Sequence, residues 1–550
     1  MKHINRGNDM KILVVIPARG GSKGIPKKNI RLINGKPLIS YSIKNALELK
    51  KENEVTVVVD TDDEEIAAVS EQNGATVITR PSELSGDTIT LDPVIFHALI
   101  EMEKNNGEYD LVITMQATSP TLKSQTVQKA IKFFTEKKID TLISGVNKPH
   151  LSWSEENNEC KPNYTERLNR QFLPKHLCET GGFLITKRDC VTEVSRIGSK
   201  VMIYELSEDE AIDIDTEKDW IVCESILKSK KILLRADGEE TLGMGHIYRA
   251  LSIAYHLIGN EILFVTRSDM NMGFHKLKES FFPVETITDD FEIERIIQKY
   301  KPDIIINDIL NTSVQYMKML KKYPARIINF EDKGKGAEYA DAVINSLYMK
   351  KSFHNEYVGF EYFFIRDEFL TAQPKNFSAE VKSIVVLFGG TDPNNLTQRT
   401  YNILKEVSKR HPKINFHIIT GYGYKYKDVI KDDQKHNIYV HNNLKRVSKY
   451  LAMADLAVTA QGRTIYELAR MGVPSIVLAQ NKRELEHEFA GMANGYINLG
   501  LGEKSSDNAI YSTIEWLIST PSVRKQMHDL LLKKDFRKGQ DKVIKLILGE

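Results

Sequence analysis

KILLRADGEETLGMGHIYRALSIA (residues 231–254) is an apolar run that breaks into three glycines and a histidine and then continues as an amphipathic stretch. Strand, glycine turn and helix in that order open a parallel α/β domain. The chain already contains one such opening, VVIPARGGSKGIPKKN (residues 14–29), so residue 231 begins either a second copy of one chemistry or a second enzyme. The two turns differ in charge. The first carries Arg19, Lys23, Lys27 and Lys28, whereas the second carries His246 and few cations. That contrast favours two different sites on one polypeptide.

Working outward, TEKDWIVCESILKSK (216–230) reads as a helix that runs straight into the strand at 231 across a short Lys/Ser joint. A polar, proline-containing segment, TAQPKNFSAEVKS (371–383), precedes another strand and glycine turn, IVVLFGG. These breaks divide the chain into a disordered tail (1–9), a first domain (10–228), and two lobes (229–372 and 373–550) facing a cleft. Short β-branched runs alternate with amphipathic stretches throughout, so the fold class is α/β with parallel sheets. Strands are expected at KILVVIPA, EVTVVVDT, ATVITR, DLVITMQA, DTLISGV and GGFLIT, and helices at PLISYSIKNALELK, DEEIAAVSEQNG and SQTVQKAIKFFTEKK.

The 550 residues, 41% apolar and 27% charged, suit roughly two to four globular domains. A formal net charge of +2 gives no sign of a nucleic-acid or membrane-surface partner. The four cysteines form no CxxC pair, which fits free thiols in the cytoplasm rather than a disulfide framework or a metal knuckle.

In ARGGSKGIPKKN, glycines let backbone N–H groups approach an anion while Arg19, Lys23 and Lys28 add charge, a combination suited to a nucleoside triphosphate. It is neither a P-loop nor a GxGxxG fingerprint, and a solvated basic loop is the competing reading. Asp213 and Asp215, in AIDIDTEKDW, are two apart, so in an extended segment both carboxylates leave one face, as a Mg²⁺ site needs. The alternative makes Asp215 a helix cap and Asp213 a surface charge. In MQATSPTLK, Gln116 could read a base edge, and Thr118 and Ser119 a ribose or phosphate. Thr-Ser-Pro is also ordinary turn chemistry.

ARGGSKGIPKKN, RPSELSGD, QATSP, RQFLP, ETGGFLI and IDIDTE occur in one order and spacing over residues 10–228, and in this the chain resembles the CMP-sialic acid synthetase (acylneuraminate cytidylyltransferase) family. The resemblance implies a Rossmann-like domain that transfers CMP from CTP to the anomeric hydroxyl of a nine-carbon 2-keto-3-deoxy sugar acid with Mg²⁺. It implies that Arg19, Lys23 and Lys28 hold the triphosphate with Asn29 nearby, and that Arg80, Asp87 and Gln116 place the cytidine. Asp213 and Asp215 would bind Mg²⁺, and Arg170, Gln171 and Glu179 would lie near the acceptor. Family members are often dimers through this domain, so a homodimer is expected. CETGG stands where many relatives have Glu-Asn-Gly, which leaves the sugar acid open.

In the second half, Gly243 and Gly245 put His246 at a helix start, where it could take a proton from water; a packed or capping histidine is the competing reading. FGGTDPNNLT (388–397), with Gly390, opens the distal lobe. ADLAVTAQGRTIYELARMGVPSIVLAQNKRE (454–484) follows with Gly462, Arg463 and Thr464 opening a helix whose N–H groups can meet a diphosphate, and with Glu467 placed for ribose hydroxyls. Residues 231 to about 500 thus resemble the nucleotide-sugar hydrolases of the pseudaminic acid pathway and related spore-coat polysaccharide proteins. That implies a bilobal GT-B-like pair of Rossmann-like lobes, His246 as the catalytic candidate, Gly245, Arg249, Gly390, Gly462, Thr464 and Glu467 around a nucleotide-sugar, and no cofactor. Asp308 and Asp332 end other strands, where lining the cleft and structural capping are both open.

The expectation is a bifunctional enzyme of sialic-acid-like sugar synthesis: CMP transfer in the first half, hydrolysis of a nucleotide-sugar in the second. The rivals are a glycosyltransferase or a non-catalytic nucleotide-sugar-binding regulator in the second half, and an eight-carbon substrate in the first.

Overall fold

The computed structural model describes residues 10–21, 24–239 and 243–550. The expected disordered tail (1–9), and Lys23 with it, lie outside the described residues. The chain forms two compact units, Met1–Ser229 and Lys230–Glu550.

The first unit is built on Lys11–Pro17, whose Ile12, Leu13, Val14, Val15 and Ile16 are fully buried. Side chains alternate across a strand, so this run feeds two cores. Ile12, Val14 and Ile16 pack with Ile39 and Ile43 of helix Leu38–Glu48 and with Val127 and Ile131 of helix Ser124–Lys137. Leu13 and Val15 pack with Ile95 and Leu99 of helix Leu91–Asn106 on the other face. Each such residue contributes roughly 1.5–3 kcal/mol on burial.

Seven strands form the sheet, in the order Val201–Glu205, Thr141–Asn147, Leu177–Lys187, Leu111–Thr114, Lys11–Pro17, Glu54–Thr61, Thr76–Thr79. Leu177–Lys187 runs antiparallel to both neighbours, and the other pairs are parallel. A separate hairpin, Trp153–Glu156 with Glu159–Pro162, stands exposed beyond it. Helix Glu217–Lys228 starts at a capping box in which Thr216 and Asp219 satisfy each other's backbone N–H groups.

The second unit contains two parallel sheets of the same winding. The first runs Val284–Ile287, Glu261–Arg267, Lys231–Ala236, Ile304–Asp308, Arg326–Phe330, Ala342–Asn345, Glu356–Val358. The other runs Ile438–Asn442, Asn415–Thr420, Ser383–Leu387, Leu456–Ala460, Ser475–Ala479, Tyr496–Leu501. In each, the strand that comes first in sequence lies inside the sheet, so the chain reverses direction beside it. The crevice at the carboxyl ends of the strands at that reversal is where open α/β sheets bind ligands. These are the two Rossmann-like lobes of a GT-B-type unit.

The lobes exchange segments across the break placed at 372/373. Phe363, Ile365 and Phe369 pack in the distal core with Val385 and Tyr466, while Val543 and Ile547 of the last helix, Gly539–Leu548, return to the first lobe beside Ile232 and Leu234. A 373–550 lobe is therefore not contiguous in packing, because that helix carries an apolar face which the first lobe covers. No described helix is long and apolar enough to cross a membrane.

Candidate functional site

In the first unit a cavity of about 450 Å³ opens at the end of strand Lys11–Pro17, lined by Arg19, Lys28, Asn29, Arg80, Asp87, Gln116, Thr118 and Asp215 among others. Arg19 reaches Asp87 at 2.9 Å, with both side chains over a third exposed. Such a pair is worth little in water, so a phosphate can displace it. Lys28 is held more firmly: its Nζ donates to the Ile214 carbonyl at 2.6 Å and lies 3.4 Å from Asp215 Oδ1, with the side chain 15% exposed. The basic loop is thereby anchored to the carboxylate segment.

That segment passes so close that two glycines are required. A Cβ on Gly24 would stand 2.7 Å from the Asp215 carbonyl, and one on Gly181 would stand 2.7 Å from Asp213 Oδ2 and 3.1 Å from Gln116 Cδ. Asp213 Oδ1 is buried without a hydrogen-bond partner. Burial raises the Asp213 pKa; a hydrogen bond from Thr118 opposes this and the charge of Asp215 adds to it. A buried, unpartnered carboxylate oxygen two residues from an exposed carboxylate is short of positive charge and fits a hard divalent cation. Among the described residues no group of three or more His, Cys, Asp or Glu side chains is placed to hold a metal ion.

Other expected contacts lie elsewhere. Asn29 is buried and its Nδ2 donates to the Arg19 carbonyl at 3.0 Å, so it shapes the loop. Arg80 lines the cavity, yet its guanidinium is engaged by buried Asp60, on which His97 also converges at 3.2 Å. Ser119 is 2% exposed with Oγ sealed, out of reach of a ribose. Arg170 pairs with exposed Glu208 at 3.0 Å, and Gln171 and Glu179 are also exposed; none of the three lines the cavity. For Arg170 and Gln171 the reason is that the short turn Arg170–Phe172 follows the exposed hairpin rather than a strand end of the sheet, whereas Glu179 lies within strand Leu177–Lys187, paired with Gly145.

In the second unit, strand Lys231–Ala236 lies beside Ile304–Asp308, and helix Gly245–His256 starts just beyond. This juxtaposition brings His246 Nδ1 to 2.7 Å from Asp308 Oδ1. Asp308 is fully buried. Burial pushes its pKa up, but the charge and hydrogen bonds of Arg249, joined by His246, bring it down to about 2. A carboxylate can only accept, so Nδ1 carries the hydrogen toward Asp308 and Nε2 keeps the lone pair. Arg249, 3.2 Å from the same Nδ1, is itself a donor and cannot take that hydrogen.

Arg249 was expected to touch substrate. It is 3% exposed, its Nε donating to Asp308 at 2.7 Å and its Nη1 to Glu331 at 3.2 Å, and it positions those carboxylates instead. Across the cleft within this unit, Gly390 packs 3.7 Å (as a Cβ) from Met244, and Gly245 likewise 3.7 Å from Arg463 Cδ. Gly462 and Thr464 sit at the start of helix Thr464–Met471. Glu467 is also engaged differently than expected: Arg366 grips both its oxygens at 2.8 and 3.0 Å, leaving the carboxylate little freedom for a ribose. Asp332 braces a turn by accepting from Thr312, Asn329 and Gly334.

The family model described as "Cytidylyltransferase" matches residues 13–172. Pseudaminic acid cytidylyltransferase of Campylobacter jejuni subsp. jejuni is 33% identical over 240 residues, 42% of this chain and 99% of that protein. The amino-terminal half of the chain belongs to the acylneuraminate cytidylyltransferase family. N-acylneuraminate cytidylyltransferase A of Danio rerio is 34% identical over 40% of this chain and 51% of its own length. The chain spans about half the length of the first curated relatives it matches. Residues 384–497 match the model described as "Glycosyltransferase family 28 C-terminal domain". The solved structure of MurG from Acinetobacter baumannii superposes with a TM-score of 0.44 at 15% identity, covering 58% of this chain and 99% of that one.

In the cytidylyltransferase unit, charge and spacing pointed to Arg19, Lys28 and Asp215, and the family resemblance to Arg80 and Asp87, all of which line the cavity. In the other unit sequence reasoning left Asp308 undecided and passed over Glu331, Arg366 and Glu484. Glu484 is largely buried where its Oε2 accepts the Gln480 N–H at 2.8 Å, and burial raises its pKa to about 6. Strand-end position is the signal Asp308 and Glu331 share, but which strand ends are neighbours appears only in the folded sheet; Glu484 opens the short turn Glu484–Glu486 and carries no such signal.

Proposed function

We propose that the first unit transfers CMP from CTP to a sialic-acid-like nine-carbon 2-keto-3-deoxy sugar acid, and that the second cleaves a nucleotide-sugar. The similarity to cytidylyltransferases supports the first activity. The observation that carries it is the cavity that Arg19, Lys28 and Asp215 line with charge, with the unpartnered Asp213 Oδ1 two residues from Asp215. Asp213 and Asp215 would hold Mg²⁺, which when bound offsets the charge of the triphosphate. Lys28, fixed by the Ile214 carbonyl, meets the phosphate oxygens without reorganising, and Arg19 turns from Asp87 to the same anion. The anomeric oxygen bonds to the α-phosphorus and pyrophosphate leaves. Measuring CTP-dependent pyrophosphate release across eight- and nine-carbon 2-keto-3-deoxy acids tests this reading; release with none of the nine-carbon acids refutes it. The exposed Trp153 of the hairpin, with Phe172 and Leu177 exposed later in the same unit, favours a homodimer through this unit. Four free cysteines accord with a cytoplasmic setting.

For the second unit, the His246–Asp308 pair carries the reading. Nε2 takes a proton from water as the water oxygen bonds to the anomeric carbon and the nucleoside diphosphate departs. The match to a glycosyltransferase family 28 domain favours a second reading, in which a sugar hydroxyl replaces water. Incubation with nucleotide-sugars in the absence of an acceptor separates the two: release of free sugar at a rate His246→Ala abolishes supports hydrolysis, and turnover only with an acceptor supports transfer.

A further inference from the structure

Arg80 lines the cavity of the first unit with its guanidinium held from behind. It follows strand Thr76–Thr79, and its backbone N–H donates to the Thr61 carbonyl at 2.8 Å, which ties the stem to strand Glu54–Thr61. Nε donates to Asp60 Oδ1, and Nη2 donates to the Asp60 carbonyl at 2.9 Å. Nη1 makes no hydrogen bond among the described residues, and it is the nitrogen left for the cavity. Arg80 is 6% exposed and Asp60 fully buried, so this pair does not swing open as the exposed pair of Arg19 and Asp87 can.

The second Asp60 oxygen is reached from another element. His97, on helix Leu91–Asn106, brings Nδ1 to 3.2 Å from Asp60 Oδ2. A carboxylate only accepts, so this nitrogen carries the hydrogen. With one oxygen on Arg80 and the other on His97, the plane of the carboxylate is fixed, and through it the direction of the guanidinium. The same helix builds part of the cavity wall. Leu91 and Val94 line it from the first turn, joined by Leu84 and Ile89 from the segment between Arg80 and the helix, and His97 lies one turn beyond Val94 without lining the cavity itself. Arg80 can only donate, and four apolar side chains lining the same cavity suit a flat ring with acceptors on its edge. Arg19 and Lys28 remain for the phosphates. We infer that His97 is a positioning residue for the nucleobase: through Asp60 it holds Arg80 so that Nη1 meets an acceptor on the base edge. This rests on the reading of the first unit as a CTP-dependent enzyme.

The test measures calorimetric affinities of the full chain for CTP and for inorganic triphosphate, each with Mg²⁺, in wild type, His97→Leu and His97→Asn. In His97→Asn the amide nitrogen stands as many bonds from Cα as Nδ1 does, so it restores the donor that His97→Leu removes. His97→Leu is expected to weaken CTP about 10-fold and triphosphate by no more than about twofold, and His97→Asn to recover most of the CTP loss. Equal losses for both ligands would overturn the inference in favour of a structural or phosphate-binding role. Unchanged CTP affinity in His97→Leu would overturn it too, as would a loss that His97→Asn does not repair. Should wild type hold triphosphate too weakly to measure, the comparison of His97→Leu with His97→Asn for CTP decides. Wild type binding no CTP overturns the CTP reading as well, and is recognised without any variant. Should His97→Leu fail to fold, His97→Gln, whose amide nitrogen stands as far along the chain as Nε2, removes the same donor and takes its place.

Discussion

His246 and Arg249 lie one helical turn apart and both touch Asp308, yet they divide the work of the site. Asp308 fixes the histidine hydrogen on Nδ1, and Arg249 keeps Asp308 ionised. Removing each of them has different consequences. His246→Ala should lower nucleotide-sugar turnover by about 10²–10⁴-fold with the melting temperature nearly unchanged, since general-base catalysis is worth that much. Arg249→Met should instead destabilise the unit by about 3–5 kcal/mol, because two buried carboxylates lose their cation. Thermal melts of both variants, paired with turnover, check the assignment; a stable Arg249→Met protein with weakened substrate binding would restore the substrate-contact role. Glu484 makes a pH-dependent prediction. Its folded pKa of about 6 exceeds the ordinary glutamate value of about 4.5, so the folded state holds the proton more tightly and loses stability as pH rises from about 4.5 to 6. Above that window the ionised carboxylate costs on the order of 2 kcal/mol. Glu484→Gln should therefore melt above wild type at pH 8 and level with it at pH 4.5, and a gap independent of pH would refute the assignment.

At the scale of elements, the strands written as continuous β-branched runs were legible, because burial on both faces demands such runs. All six strands expected in the first unit are present. Val201–Glu205 was passed over: its apolar run is only four residues, Val201 to Tyr204, on an edge strand that stays largely exposed. Helix Leu91–Asn106 was missed as well, since residues on either side of its apolar stripe are only partly polar. The cytidylyltransferase cavity was readable where charge and spacing carry the signal, at Arg19, Lys28 and Asp215. Asn29 and Arg80 line it as well, but that their polar groups turn to the protein itself was not legible. His246 and Asp308 are 62 residues apart, and only the strand order joins them. The exposed turn Arg170–Phe172 carries a further prediction. Phe172 is 66% exposed beside the hairpin, so Phe172→Glu should convert a dimer to a monomer in sedimentation experiments; an unchanged sedimentation coefficient would place any interface elsewhere.

The whole chain has separate cores. One set of buried clusters is drawn from residues up to Cys223, the others from Ile232 onward. Cooperative unfolding follows a shared core, so two units with none in common should melt as two transitions. Ligands then report which transition belongs to which site, because a ligand that binds only the folded state stabilises its own unit by about 2.7 kcal/mol at a hundredfold excess over Kd. CTP with Mg²⁺ should raise one transition and a nucleoside diphosphate the other. Asp213→Asn should abolish the shift with CTP while sparing the second, since the unpartnered oxygen it alters lies in the first unit alone. Scanning calorimetry of the full chain measures both shifts at once. A single transition moved by either ligand would mean that the two sites share one cooperative unit, and binding at one would then stabilise the other.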